Sequence, residues 1–214
     1  MFFIRDLSRV YRQIPIDLTD IAFVGYVWKG NIYFDLMLSM GLRSSAHICQ
    51  RLKNSLAYMY RNLGFDIVNY LDDFAGVEIK QGIDRAFFKL KSLLSACGIE
   101  ESEHKAYAPS TRMEFLGIVC DSVFKLRLEI SENRILEITN LIIEWNKKTK
   151  ATKREIQSLV GKLNFIGCCV KPGRIFISRI LNWLRDIYDE KGTVLIPKII
   201  KKRFRVVGQI FSNI

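Results

Sequence analysis

The stretch Ile67-Val68-Asn69-Tyr70-Leu71-Asp72-Asp73-Phe74-Ala75-Gly76-Val77-Glu78-Ile79 decides how the chain is read. Two short apolar runs, 67–71 and 74–79, meet at an aspartate pair, and aspartate tolerates turn dihedrals. The pattern predicts a β-hairpin with both carboxylates at its tip. Upstream, Ile48, Leu52, Leu56, Met59 and Leu63 recur every three or four residues and Gly64 follows. That spacing predicts an amphipathic helix over 45–63 with a glycine stop. Downstream, Asp84 opens a second helix, with Phe87, Leu90, Leu94 and Cys97 on one face and Gly98 as terminator.

A strand over 4–7 precedes these elements, and 114–120 and 126–130 read as strands after them. The order is strand, helix, strand, strand, helix, strand. It matches an α+β, ferredoxin-like split β-α-β fold: an antiparallel sheet with two helices on one face. Phe23–Trp28 and Ile32–Leu36, separated by Lys29-Gly30-Asn31, predict a further hairpin.

Beyond Ile130 the periodicity becomes helical. Ser131 is the expected N-cap of a helix with the stripe Ile135, Ile138, Ile142 and Trp145. Thr152 and Glu155 form a capping box opening the next helix, which runs to about Cys168. Lys171-Pro172-Gly173 breaks the chain, and a helix with Ile177, Ile180, Leu181 and Leu184 follows. The expected division is therefore a sheet-bearing part, 1–130, and a helical part, 131–214.

Charge follows the same division. The net charge of the 214-residue chain is +11. Residues 1–145 hold 17 basic and 18 acidic side chains, whereas 146–214 hold 16 basic and 4 acidic. Clustered lysine and arginine gain affinity by displacing counterions from phosphates, so the second part predicts a polyanion partner. Its candidate contacts are Lys147, Lys148, Lys150, Lys153, Arg154, Lys162 and Arg174. A solvated basic helix surface is the plainer alternative. Cys49, Cys97, Cys120, Cys168 and Cys169 show no C-x-x-C spacing, which predicts reduced, mostly buried thiols rather than disulfides or zinc. No secretory signal is recognisable, and the longest charge-free stretch is far short of the ~20 residues of a membrane helix. The expectation is a soluble intracellular protein, cytoplasmic or nuclear, with no membrane partner.

Asp6 ends the first strand, 66 positions before Asp72. In a split β-α-β sheet those two strands are neighbours, so the fold can gather Asp6, Asp72 and Asp73 at one sheet edge. Carboxylates from separate strands suit Mg²⁺, which keeps its remaining positions for water and phosphate oxygens.

These residues carry a resemblance. Asp6-Leu7-Ser8-Arg9-Val10-Tyr11-Arg12-Gln13-Ile14-Pro15 resembles the first catalytic motif of retroelement reverse transcriptases. Leu38-Ser39-Met40-Gly41-Leu42-Arg43-Ser44, running to Gln50, resembles their second motif, and Tyr70-Leu71-Asp72-Asp73 is similar to their Tyr-x-Asp-Asp hallmark. Glu114-Phe115-Leu116-Gly117 looks like the primer-grip strand. Leu159–Phe165, then Pro172-Gly173-Arg174 and Arg179, resemble the segment after the polymerase in DIRS-type (tyrosine-recombinase) retrotransposons.

The resemblance implies a polymerase palm followed by a thumb or connection segment. It implies RNA-directed DNA polymerase activity, with two Mg²⁺ ions, deoxynucleoside triphosphates and an RNA/DNA primer–template. Asp6 and Asp72 would be metal ligands and Asp73 a weaker one. Tyr11 would sit beneath the sugar and exclude a 2′-hydroxyl, while Gly41 would admit the template or base pair close to the backbone. Gln50 would begin the helix packed under the site, and Lys105 would give a proton to leaving pyrophosphate. The family's fingers and ribonuclease H regions have no counterpart in these residues. That leaves two alternatives: a retroelement fragment that keeps the fold without catalysis, or a nucleic-acid-binding module with a basic tail.

Overall fold

The computed structural model describes residues 1–167, 173–188, 192–202 and 204. They form two compact units, the first comprising residues 1–115 and 122–125, the second 116–121 and 126–214. Residues 116–121 and 126–130, expected with the sheet-bearing part, thus belong to the second unit.

In the first unit, β1 (Phe2–Asp6) is followed by the hairpin β2 (Gly25–Trp28) and β3 (Asn31–Phe34). Then come α1 (Ser45–Asn62), β4 (Asp66–Tyr70), β5 (Asp73–Val77), α2 (Ile83–Ala96), β6 (Tyr107–Ser110) and β7 (Arg112–Phe115). The main sheet has the order β4-β5-β1-β6. β5 runs antiparallel to both β1 and β4, and β6 is antiparallel to β1. The expected antiparallel α+β order is present.

One side of the sheet is covered. Phe3 and Arg5 of β1 face α2: the Phe3 and Phe87 rings meet edge to face at 5.5 Å, and Arg5 Nε donates to the Phe87 carbonyl at 3.0 Å. Phe3 lies opposite Gly76 of β5, where an added Cβ would fall 2.1 Å from the Phe3 ring. Only glycine lets that ring lie flat on the strand. The core beneath contains Phe3, Leu56, Tyr60, Phe74, Ile83, Leu90 and Leu94, and Tyr60 Oη donates to the Ala86 carbonyl at 2.6 Å.

The expected stripe of α1 is corrected. Ile48, Met59 and Leu63 are exposed, and the helix buries Ser45, Cys49, Lys53, Leu56, Ala57 and Tyr60. The buried positions 45, 49, 53, 56, 57 and 60 follow one helical stripe turned from the expected one, with large side chains such as Tyr60 and small ones such as Ala57 interleaved on it. The face of α2 is likewise rotated: Ile83, Ala86, Leu90 and Leu94 are buried, whereas Cys97 at the helix C-terminus is exposed. Cys49 is buried, Cys120 half-buried, and Cys168 and Cys169 lie outside the described residues.

The second unit holds β8 (Ile118–Asp121), β9 (Arg127–Ile130), α3 (Glu132–Lys147), β10 (Lys150–Thr152), α4 (Lys153–Gly167), α5 (Gly173–Arg185) and β11 (Thr193–Leu195). β8 pairs with β9 and β10 with β11, both antiparallel. The expected strand over 114–120 is broken instead by a turn, with Leu116 at φ 52° and Gly117 at φ 78°. Ile138, Ile142 and Trp145 of α3 join Ile156, Leu159 and Leu163 of α4 and Ile177 and Ile180 of α5 in one core. The capping box forms: Thr152 N–H donates to Glu155 Oε2 at 2.8 Å, and Glu155 N–H to Thr152 Oγ1 at 3.3 Å. Ser131 stands at the N-cap of α3 with extended dihedrals, but its buried hydroxyl makes no cap bond. Among the described residues no helix is long and apolar enough to cross a membrane.

Candidate functional site

The antiparallel register sets Asp6 directly opposite Asp73. Successive side chains of a strand point to opposite faces. Phe3, Arg5 and Phe74 occupy the helix-covered face, so Asp6 and Asp73 share the other. Asp73 also pairs with Tyr70 across the β4–β5 hairpin, and Tyr70 is exposed. Two backbone hydrogen bonds fasten this end of β1: Leu7 N–H to the Asp72 carbonyl at 2.9 Å, and Ser102 N–H to the Asp6 carbonyl at 2.8 Å. The second brings in the loop that carries Lys105, whose Nζ lies 3.5 Å from Asp6 Oδ1.

Charge crowds here. Burial raises the Asp73 carboxyl above the usual aspartate range, and the neighbouring Asp72 and Asp6 charges raise it further. A hydrogen bond with Asp6 adds to the rise, while Lys53 opposes it. Burial likewise pushes the Tyr11 hydroxyl up, followed by Cys49, Asp72 and Tyr70. Tyr11 lies on the short 3-10 segment Val10–Gln13, half-buried against the core of the first unit.

The turn itself is strained. Leu71 has φ 43°, a left-handed conformation costing a non-glycine residue roughly 1–2 kcal/mol. Helix α1 holds it: Leu71 N–H donates to Gln50 Oε1 at 2.9 Å, and Gln50 Nε2 donates to Asn54 Oδ1 at 2.8 Å. Asn54 Oδ1 also accepts from Asn69 Nδ2 at 2.8 Å. Gln50 thus acts on the aspartate turn through the Leu71 backbone.

Lys53 was absent from the sequence candidates. It is fully buried, with Nζ 3.9 Å from the centroid of the Phe74 ring and no hydrogen-bond partner among the described residues. Burial pushes its ammonium down to about 8, against the opposing pull of Asp73, Asp72, Cys49 and Asp6. The available signal was its place four residues after Cys49 and four before Ala57, on one helix face with both.

Other candidates are placed as follows. Gly41 has φ 93° with open space where a Cβ would stand, so its backbone angle, not crowding, calls for glycine. Glu114 is exposed and Phe115 half-buried at the end of β7 in the first unit. Leu116 and Gly117 belong to the second unit, where a Cβ on Gly117 would lie 3.3 Å from both Arg134 Nε and the Phe165 ring. Lys147, Lys150 and Arg154 are exposed and Lys153 is half-buried. Lys148 pairs with Glu155 at 2.6 Å and Lys162 with Glu137 at 2.9 Å. Arg174 falls on α5, and its side chain lies outside the described residues.

Asp6, Asp72 and Asp73 offer carboxylate oxygens, the donors a divalent ion such as Mg²⁺ takes. Their side chains do not yet form a ligand set: among the described residues no group of three or more His, Cys, Asp or Glu is arranged to hold a metal ion.

No family model matches the sequence, and no curated protein matches it. Solved structures do. A foamy viral protease-reverse transcriptase in complex with double-stranded DNA is similar, with a TM-score of 0.78 and 16% identity, over 99% of this chain and 35% of that one. The foamy viral protease-reverse transcriptase bound to an RNA/DNA hybrid matches with a TM-score of 0.69 and 17% identity, over 99% of this chain and 27% of the other. A further complex with double-stranded DNA gives 0.70 and 16%, over 99% and 42%. This chain therefore spans less than half the length of those proteins. Its sheet order, helix placement and these matches lead to one conclusion: the chain has a reverse-transcriptase-like fold.

Proposed function

We propose that the chain is the palm and following segment of an RNA-directed DNA polymerase from a retrotransposon, of the DIRS type that its motifs resemble. It would transfer deoxynucleotides to a primer 3′-hydroxyl. The observation carrying this reading is the β1–β5 register, which sets Asp6 opposite Asp73 with Asp72 in the adjoining turn. The nucleic-acid complexes of the similar foamy viral proteins support a primer–template as partner.

Asp6, Asp72 and Asp73 are the residues that would hold two Mg²⁺ ions. Such ions activate the attacking hydroxyl and neutralise charge on the leaving pyrophosphate. The chain's own groups do the rest. Gln50 holds the aspartate turn through the Leu71 N–H, and Tyr11 would limit room beneath the sugar of the incoming nucleotide. Lys105, tethered to Asp6, would supply a proton to the departing pyrophosphate oxygen. The basic side chains of the second unit would hold the duplex through its phosphates.

A second reading, a nucleic-acid-binding palm without catalysis, draws on the lack of a ready three-ligand group among the described residues. Single-nucleotide incorporation separates the two, using a DNA primer on an RNA template with Mg²⁺. The polymerase reading expects incorporation that Asp72→Asn lowers about 100-fold or more, the scale of losing one strong transition-state contact. Incorporation equal in the two proteins, or undetectable in both beside retained template binding, rejects it.

A further inference from the structure

The covered face of the sheet contains a charge that the proposed chemistry does not use. Lys53 rises from α1 beneath the β4–β5 hairpin, is 0% exposed, and has no hydrogen-bond partner for its ammonium among the described residues. The stem and head pack on Phe74, the residue after Asp73, with Nζ 3.9 Å from the ring centroid. One turn earlier on the same helix, Cys49 Sγ lies 3.9 Å from the Leu71 carbonyl, and Gln50 binds the Leu71 N–H. This helix face therefore touches the aspartate turn directly. A buried ammonium without partners is costly unless opposite charge lies near. The opposite charge here is Asp73, which precedes Phe74, Asp72, which follows Leu71, and Asp6, which lies opposite Asp73, with Asp6 and Asp73 on the far side of the strands. A lysine on the exposed side could swing into water; Lys53 cannot.

We propose that Lys53 is an internal counter-ion to the three aspartates, which steadies the hairpin without metal and weakens its hold on divalent cations. The inference rests on the reading of those aspartates as the cation site. Through the thin, water-poor sheet, a fixed positive charge offsets part of the negative potential that draws a cation in. Lys53 is a positioning residue in this scheme, since it touches neither substrate nor metal. The cost to cation affinity is the counterpart of a hairpin that folds before any metal arrives.

The test is Mn²⁺ binding at pH 7, read from the electron paramagnetic resonance of free Mn²⁺, for the full chain and its variants. Lys53→Met keeps the unbranched stem against Phe74 and removes the charge; it should bind Mn²⁺ about tenfold tighter or more. Lys53→Arg keeps the charge and should stay within about twofold of the parent. Should the Met variant not fold, Lys53→Gln takes its place. If Lys53→Met binds no tighter while Asp73→Asn loses binding, the counter-ion role is overturned and the cation site stands.

If no variant binds Mn²⁺, the cation-site reading falls, and the counter-ion role is judged on melting without metal. There Asp73→Asn should raise Tm more in the Lys53→Met background than in the parent, because only the parent loses an attraction along with the repulsion. Equal changes in both backgrounds would overturn it.

Discussion

Gln50 Oε1 accepts the backbone N–H of Leu71 at 2.9 Å, so a helix side chain holds open a left-handed turn that leucine would not choose. Gln50→Ala leaves that N–H without its partner and should cost about 1 kcal/mol in denaturant unfolding. Leu71→Gly relieves the backbone, and in that background the Gln50→Ala penalty should shrink. An unchanged penalty would show that the hydrogen bond does not restrain the turn.

Gly76 has no room for a side chain. A Cβ there would meet the Phe3 ring at 2.1 Å, and both residues sit in the middle of the sheet. Gly76→Ala should destabilise the first unit by about 1–3 kcal/mol, the usual cost of overpacking. Phe3→Leu should recover part of that loss. A neutral Gly76→Ala in thermal unfolding would contradict the packing described.

Arg12 and Ser39 hold Asp35 at about 2, well below the ordinary aspartate range. Arg12 contributes through a 2.5 Å hydrogen bond to Oδ2, and Ser39 Oγ donates to the same oxygen at 2.6 Å. Because the folded value is depressed, this contribution is fully present above the unfolded value of about 3.9 and is lost as pH falls toward 2. Stability measured between pH 5 and pH 2 should therefore drop less steeply in Asp35→Asn than in the parent. Parallel curves would mean the contact adds nothing.

Nucleic-acid affinity should separate exposed basic side chains from ion-paired ones. Lys147, Lys150 and Arg154 are exposed, whereas Lys148 and Lys162 are engaged with Glu155 and Glu137. Replacing the first three with alanine should flatten the slope of log affinity against log salt by roughly 2–3. Lys162→Ala should change it by well under 1. Equal effects would place the duplex elsewhere on the chain.

The sequence foretold the order of elements because the hairpin tip, the glycine stops at Gly64 and Gly98 and the capping box at Thr152 are local signals. Asp6 and the Asp72–Asp73 turn could be brought to one sheet edge in advance, because a split β-α-β sheet makes their strands neighbours, while the Asp6–Asp73 register came only with the structure. Lys53 could not be seen that way. Its residue type reads as solvent-facing, and the apolar count along α1 pointed to Ile48, Met59 and Leu63, which are exposed. The break at Leu116 was hidden for a similar reason: a leucine with φ 52° carries no mark of a turn. Gln50, expected to begin its helix, lies in the second turn of a helix that starts at Ser45, and its bond to Leu71 depends on how helix and hairpin pack, which no spacing rule supplies.

The β2–β3 ribbon exposes all eight of its residues, with Tyr26 and Tyr33 stacked at 5.7 Å between ring centroids. Two strands with neither a third neighbour nor a covering layer are marginal in water. Amide protons there should exchange with deuterium sooner than those of the four-stranded sheet. Each outer edge of the ribbon also presents unpaired N–H and C=O groups, a template on which an extended strand can add.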